Sequence, residues 1–142
     1  MDLRQVVVQY HAAADKFSRG DPLPVKMIFS HRDDVTLANP FGPVVHGWQK
    51  VSEALDFASS RFKDGKVTSF ESVAEYVSSD LATILELERW EAKVSGRKEV
   101  TPFVLRVTTT FRREDGTWKI VHRHADPIAT PHPDGPLRPM GG

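Results

Sequence analysis

TPFVLRVTTTFRREDGTWKIVHRHAD, running from Thr101 to Asp126, is the stretch whose reading decides the fold. It divides into two runs rich in β-branched and aromatic residues, Pro102 to Arg112 and Thr117 to Asp126, joined by Arg113, Glu114, Asp115 and Gly116. An Asp-Gly pair between two such runs predicts a β-hairpin, because glycine accepts the positive φ that a tight turn demands. The end far from the turn carries Arg106, Thr108, His122, Arg123, His124 and Asp126, more polar and titratable groups than a plain structural sheet needs. In the first run Leu105, Val107, Thr109 and Phe111 form the core-facing set. In the second neither parity is cleanly apolar, so the turn decides the facing. A two- or four-residue loop places Phe111 with Trp118 and Ile120, and a three-residue loop with a glycine bulge places it with Val121 and Arg123.

Working outward, Leu81 to Val94 and Lys66 to Ser78 read as two more long strands, making an antiparallel meander with the hairpin. The alternation of Lys66 to Ser78 is imperfect, which points to a bulge or to burial on both faces. Three helices precede the meander. Leu3, Val6, Val7, Tyr10, Ala14 and Phe17 recur at helical spacing before Gly20; Val25, Ile28 and Phe29 follow Asp21 and Pro22; Val51, Leu55, Ala58 and Phe62 line a helix from Trp48 to a stop at Gly65. Between the second and third lie two brief strands, Asp34 to Asn39 and Val44 to His46, around an enforced turn at Pro40 to Pro43. The fold class is therefore α+β, helices covering one face of a curved antiparallel sheet that curls around a pocket. Residues 1–128 form one domain, and 129–142 form a Pro/Gly-rich tail without regular structure.

The bulk properties narrow the chemistry. Among 142 residues, 19 basic and 19 acidic side chains cancel, which argues against nucleic acid or an acidic membrane as partner. With no cysteine there is no disulfide, thiol nucleophile or zinc-thiolate site. Neither a signal-peptide pattern nor an apolar run of membrane-spanning length is present, so a soluble cytoplasmic protein is expected. Gly-rich phosphate loops and nucleophile elbows are also missing from the sequence.

On Leu81 to Val94, alternation puts Leu81, Thr83, Leu85, Leu87, Arg89 and Glu91 on one face and Ala82, Ile84, Glu86, Glu88 and Trp90 on the other. Taking the leucine face as core brings Arg89 and Glu91 inward at the strand's end, where a paired carboxylate can serve as a base. The alternative leaves them as two ordinary surface charges. His122 and His124 stand two apart on a strand, a spacing that suits a metal, but no third ligand is fixed and metal binding is not expected. Asn39 before Pro40 reads most simply as a turn residue.

The order of elements, Gly20-Asp21 after the first helix, Asn39-Pro40-Phe41-Gly42 after the first strand, Gly47 opening the third helix, and the run Gly116 to His124 together resemble the SnoaL-like, ketosteroid-isomerase-like group of the nuclear transport factor 2 (NTF2-like) superfamily, over about residues 2 to 128. The resemblance implies an NTF2-like cone with one apolar cavity beneath the helices, and a homodimer formed through the outer sheet face. Activity is less constrained, since the fold hosts isomerases, cyclases, hydrolases, dehydratases and binding modules. Asn39 stands where ketosteroid isomerases carry their base aspartate, and Asn cannot abstract a proton. Their oxyanion-hole tyrosine falls near Ala13 and their second aspartate near Thr108. Limonene-type epoxide hydrolases match better: Asn39 precedes Gly47 by their spacing, and Glu88-Arg89-Trp90-Glu91 resembles their Arg-x-Asp element, but their tyrosine falls at Leu37 and their last aspartate near Arg123. The alignment also turns Val121, Arg123 and Ala125 toward the cavity, favouring the three-residue loop.

The resulting expectation is a cavity protein for a small, largely apolar molecule carrying an oxygen function, with no cofactor. Glu91 is the candidate base, held by Arg89, with Asn39 orienting water or a carbonyl. Arg123, His124, Tyr10, Phe17, Phe41, Trp48 and Phe57 are the candidate substrate contacts, with Phe62 a further wall residue. A cofactor-independent isomerase, hydratase or hydrolase is the reading as an enzyme. The rival is a non-catalytic binding or dimerisation module whose outer face presents Glu86, Glu88, Trp90 and Trp118 to a partner.

Overall fold

A computed structural model describes residues 1–137; the end of the Pro/Gly-rich tail lies outside the described residues. Helix α1 (Leu3–Phe17) starts at a reciprocal cap, in which Asp2 Oδ1 accepts from the Gln5 backbone N–H at 2.9 Å and Gln5 Oε1 accepts from that of Asp2 at 2.8 Å. Then follow α2 (Leu23–Ile28), β1 (Thr36–Asn39), β2 (Gly42–His46), α3 (Trp48–Ser60) and four long strands, β3 (Phe62–Val77), β4 (Leu81–Val94), β5 (Thr101–Glu114) and β6 (Thr117–Asp126). The six strands form one sheet in the order β2-β1-β6-β5-β4-β3. Every neighbouring pair is antiparallel except β1 with β6. Three register shifts interrupt the β3–β4 pairing, the irregularity that the imperfect alternation of β3 announced.

The third helix is shorter than its apolar spacing suggests. It ends at Ser60, Phe62 opens β3, and Gly65 lies inside that strand. A Cβ on Gly65 would stand 2.2 Å from the Ser18 carbonyl oxygen, so glycine is needed here because the end of α1 lies directly on β3. Asp15 fastens the same contact, accepting from the Val67 backbone N–H at 3.0 Å.

The hairpin has a two-residue turn. Glu114 pairs with Thr117, and both Asp115 (φ 52) and Gly116 (φ 81) are left-handed, the conformation of a type I′ turn. Phe111 accordingly pairs with Ile120, which with Trp118 is buried. The three-residue loop is thus corrected, yet Arg123 still reaches the inner face. Val121 is an extra residue between the pairs Phe111–Ile120 and Thr110–His122, and this bulge switches the parity of β6 so that Arg123 and Ala125 turn inward beside Thr109 and Val107.

The inner face of β4 is also the reverse of the expectation. Ala82, Ile84, Glu86, Glu88, Trp90 and Ala92 are buried, while the parity of Leu85, Leu87, Arg89 and Glu91 faces outward. Glu86, Glu88, Trp90 and Trp118 are therefore no partner surface.

At the turn end of the sheet, Arg112 donates to Asp34 at 2.7 and 3.0 Å and to Glu114 at 3.0 and 2.7 Å, tying β5 to the segment that leads into β1. Hydrogen bonds from Arg112 hold Asp34 below the usual carboxylate range. For Glu114 partial burial pushes upward, but the bonds from Arg112 and Ser30 outweigh it and the net shift is down. Depressed carboxylates contribute stability that is present above their unfolded values and lost as pH falls through the folded ones. Thermal melts of the wild type should lose stability as pH drops below about 4, and Arg112→Met should flatten that acid limb; a variant with the wild-type limb would show that the clamp contributes nothing.

Candidate active site beneath the helices

A cavity of about 250 Å³ lies between the helices and the inner face of the sheet. Its walls are aromatic and aliphatic. Phe62 meets Trp90 at 5.3 Å between ring centroids, Phe103 at 6.0 Å and Phe41 at 5.4 Å, and Phe17 stands edge-on to Trp90 at 6.5 Å. The rings gather from α1, the β1–β2 turn and the ends of β3, β4 and β5, because the apolar parity of each element converges on one volume. Arg123 is the one charged residue among the cavity's described lining.

Behind that wall sits a buried polar cluster. Glu88 is fully buried, and three donors converge on its carboxylate: the Tyr10 hydroxyl at 2.5 Å, Trp90 Nε1 at 3.0 Å and Arg123 Nη2 at 3.1 Å. Arg123 Nε also donates to the Tyr10 oxygen at 3.0 Å. A carboxylate removed from water is costly unless ion-paired and hydrogen-bonded, and here it is both. Burial drives the Tyr10 phenol far above its ordinary range; Glu88 adds to the rise and Arg123 only partly offsets it, so Tyr10 keeps its proton. Burial works against the Arg123 cation, but the surrounding Tyr10 and Glu88 outweigh it and keep the guanidinium charged.

Two donors remain unspent. Arg123 Nη1 has no hydrogen-bond partner among the described residues, and its side chain is 12% exposed. Asn39 borders the same cavity; its Oδ1 accepts from the Phe41 backbone N–H at 3.0 Å, leaving its NH₂ without a protein partner among those residues. Asn39 thus both closes the turn and offers a donor.

The sequence-predicted residues separate into two groups. Tyr10, Phe17, Asn39, Phe41, Phe62 and Arg123 line the cavity. The pair Arg89 and Glu91 does not, and its inward placement is corrected: Arg89 binds Glu71 at 2.9 Å and Glu91 lies 3.3 Å from Lys66, all on the outer face of the sheet. His124 is exposed on that face, 3.3 Å from Asp126, and His122 bonds to Thr36 at 2.8 Å. Trp48 stacks on His31 at 3.9 Å, away from the cavity, and Phe57 is 55% exposed in a neighbouring groove. No group of three His, Asp or Glu is placed to hold a metal among the described residues.

Glu88 is the residue that sequence reasoning missed. Besides Trp90, two positions on, its partners Tyr10 and Arg123 stand 78 and 35 positions away, so no local pattern announces them. One signal was available: the parity holding Glu88 ends in Trp90 and Ala92, the other in Glu91 and Lys93.

The family described as SnoaL-like domain matches residues 3–130. The chain belongs to this SnoaL-like family. Solved structures place the SnoaL-like domain in the NTF2-like fold. An NTF2-like superfamily protein from Salmonella enterica serovar Typhimurium superposes with a TM-score of 0.77 at 18% identity, covering 94% of this chain and 93% of that one. A ketosteroid isomerase-like protein from Erwinia carotovora atroseptica gives 0.69 at 17% identity, covering 90% and 95%. An NTF2-like protein of unknown function from Pseudomonas putida gives 0.64 at 18% identity, covering 87% and 82%. No curated protein matches the sequence. Among the described residues no helix is long and apolar enough to cross a membrane.

The Glu88–Arg123 pair is testable by denaturant unfolding. Arg123→Met alone should cost about 3–5 kcal/mol, the scale for stranding a buried partner charge. The double variant Arg123→Met with Glu88→Gln should cost clearly less than the two single losses added together. Strict additivity would show that the two groups do not interact.

Proposed function

We propose that this SnoaL-like domain binds a small, largely apolar carbonyl compound, its oxygen held by Arg123 and Asn39, and acts on it by proton transfer through Tyr10. The observation that carries this reading is the buried Tyr10–Glu88 hydrogen bond beside the unspent Nη1 of Arg123. Because Glu88 already neutralises Arg123, the pair carries no net charge. A neutral carbonyl accepts from Arg123 without disturbing that balance, whereas a carboxylate ligand would add a negative charge near Glu88. The apolar wall accommodates the rest of such a molecule.

The chemistry follows from the cluster. A proton leaving the carbon next to the carbonyl passes to the Tyr10 oxygen while the Tyr10 proton passes to Glu88 Oε2. The C–H electron pair moves into the enolate, whose oxygen is stabilised by Arg123. The positive charge of Arg123 then balances the enolate, and Glu88 is neutral. Return of the proton to a different carbon is isomerisation; departure of a β-substituent before its return is elimination. Glu88, sealed behind Tyr10, takes in this reading the part that the sequence alone gave to Glu91.

The probe is cyclohexanone in deuterated buffer, with incorporation at its α-carbons followed by NMR. Wild-type protein should accelerate exchange, and Tyr10→Phe should lower the rate by about 100-fold or more, the usual scale for a positioned acid–base group. Cyclohexanecarboxylate should bind more weakly than cyclohexanone. Binding of cyclohexanone with no acceleration of exchange would leave a ligand-binding module and remove the catalytic reading.

For assembly, we infer that the outer sheet face pairs with a second copy of the chain. Leu81, Leu85 and Leu87 on β4 and Tyr76 on β3 form an apolar strip there; Tyr76 is 66% and Leu81 49% exposed. Beside it lie Arg89 with Glu71, and Arg106 with Asp126. A surface carrying both signs around an apolar strip suits its own two-fold copy. Sedimentation should find a dimer for wild type and a monomer for Leu85→Glu; a monomeric wild type would overturn the assignment.

A further inference from the structure

A second concave space adjoins the cavity, a groove of about 380 Å³ between β2 and the flank of α3. The two spaces share Leu37, Asn39 and Phe41 as walls, so they are separated by single side chains. Phe41 is the principal partition. Its ring stands edge-on to Phe62 on the cavity side at 5.4 Å and to Phe57 on the groove side at 6.3 Å. The backbone that carries it is constrained, with Pro40 and Pro43 on either side and the Phe41 N–H fixed on Asn39. On the groove side Ala54, Val45 and Phe57 supply apolar surface, while Lys50 and Glu53 complete the lining. Phe57 forms the outer edge of this lining, 55% exposed and with the Arg61 guanidinium 5.8 Å from its ring centroid.

We propose that the groove is the second half of the binding site and takes the apolar tail of a ligand whose carbonyl head lies on Arg123. Phe41 is then the specificity-determining side chain that divides head from tail. This extends the carbonyl reading given above and rests on it. The ligand class is an elongated aliphatic ketone, longer than the 250 Å³ cavity holds by itself. The continuity of the two spaces through shared walls and their common apolar character support one ligand spanning both.

Calorimetric titration with straight-chain methyl ketones, hexanone and undecanone, tests this. On this assignment hexanone stays within the cavity and undecanone extends past Phe41 into the groove. Phe57→Ser, at an exposed position that leaves the fold intact, should weaken undecanone by about tenfold and hexanone by less than about twofold, the scale expected when two or so methylenes lose their apolar cover. Ala54→Phe, which fills the groove, should discriminate in the same direction. Undecanone binding unchanged in Phe57→Ser, with hexanone still bound by wild type, would overturn the groove assignment and leave the carbonyl reading standing. Failure of wild type to bind either ketone would overturn the carbonyl reading itself.

Discussion

The fully buried carboxylate of Glu88 has to be satisfied from three directions, and much of the architecture follows from how this is done. Tyr10 comes from α1, Trp90 from the same strand two residues on, and Arg123 from β6, so one ion pair and its hydrogen bonds lock the first helix to the middle of the sheet. Burying a charge costs several kcal/mol unless the geometry compensates. Here the Glu88 carboxylate is met by three donors in a small volume enclosed by apolar walls, and Arg123 keeps one nitrogen free of a protein partner among the described residues. The same cluster gives the otherwise apolar cavity its polar end.

Arg123 reaches that position through a fault in the sheet. Near the Asp115-Gly116 turn, β6 is a regular strand that sends Trp118 and Ile120 into the core. The bulge at Val121 inverts its parity, so the rest of the strand supplies the site. One inserted residue divides a single hairpin into a half that packs the core with Trp118 and Ile120 and a half that turns Arg123 toward the cavity. The polar character of Arg106, His122, His124 and Asp126 belongs mostly to the other face. Outside the cavity, Arg106 binds Asp126 at 2.7 Å and His122 binds Thr36.

Similarity to solved NTF2-like structures at 17–18% identity establishes the fold alone, and the character of the cavity comes from the residues that line it in this chain. The sequence resemblance sets Asn39 against the base aspartate of ketosteroid isomerases and Ala13 near their helix tyrosine. A tyrosine is nevertheless present: Tyr10 lies three residues before Ala13, on the same helical face, and the carboxylate comes from β4. A buried tyrosine–carboxylate pair is thus assembled from positions that residue-by-residue correspondence does not reach.

The sequence by itself determined what depends on local chemistry. Helical periodicity, the Asp-Gly turn, the prolines about Phe41 and the order of elements were enough for the α+β cone, its family and most of the aromatic cavity wall. Tertiary structure decided whatever depended on partners distant in the chain. Parity on β4 favoured the leucines because hydrophobicity is countable along a strand, whereas the groups that make Glu88 cheaper to bury than Leu85 stand on α1 and β6. The parity of β6 was equally out of reach, since a bulge is a property of two strands in register and not of either alone. A buried charge is specified by the sum of its contacts, and in this protein those contacts exist only once α1, β4 and β6 have been brought together.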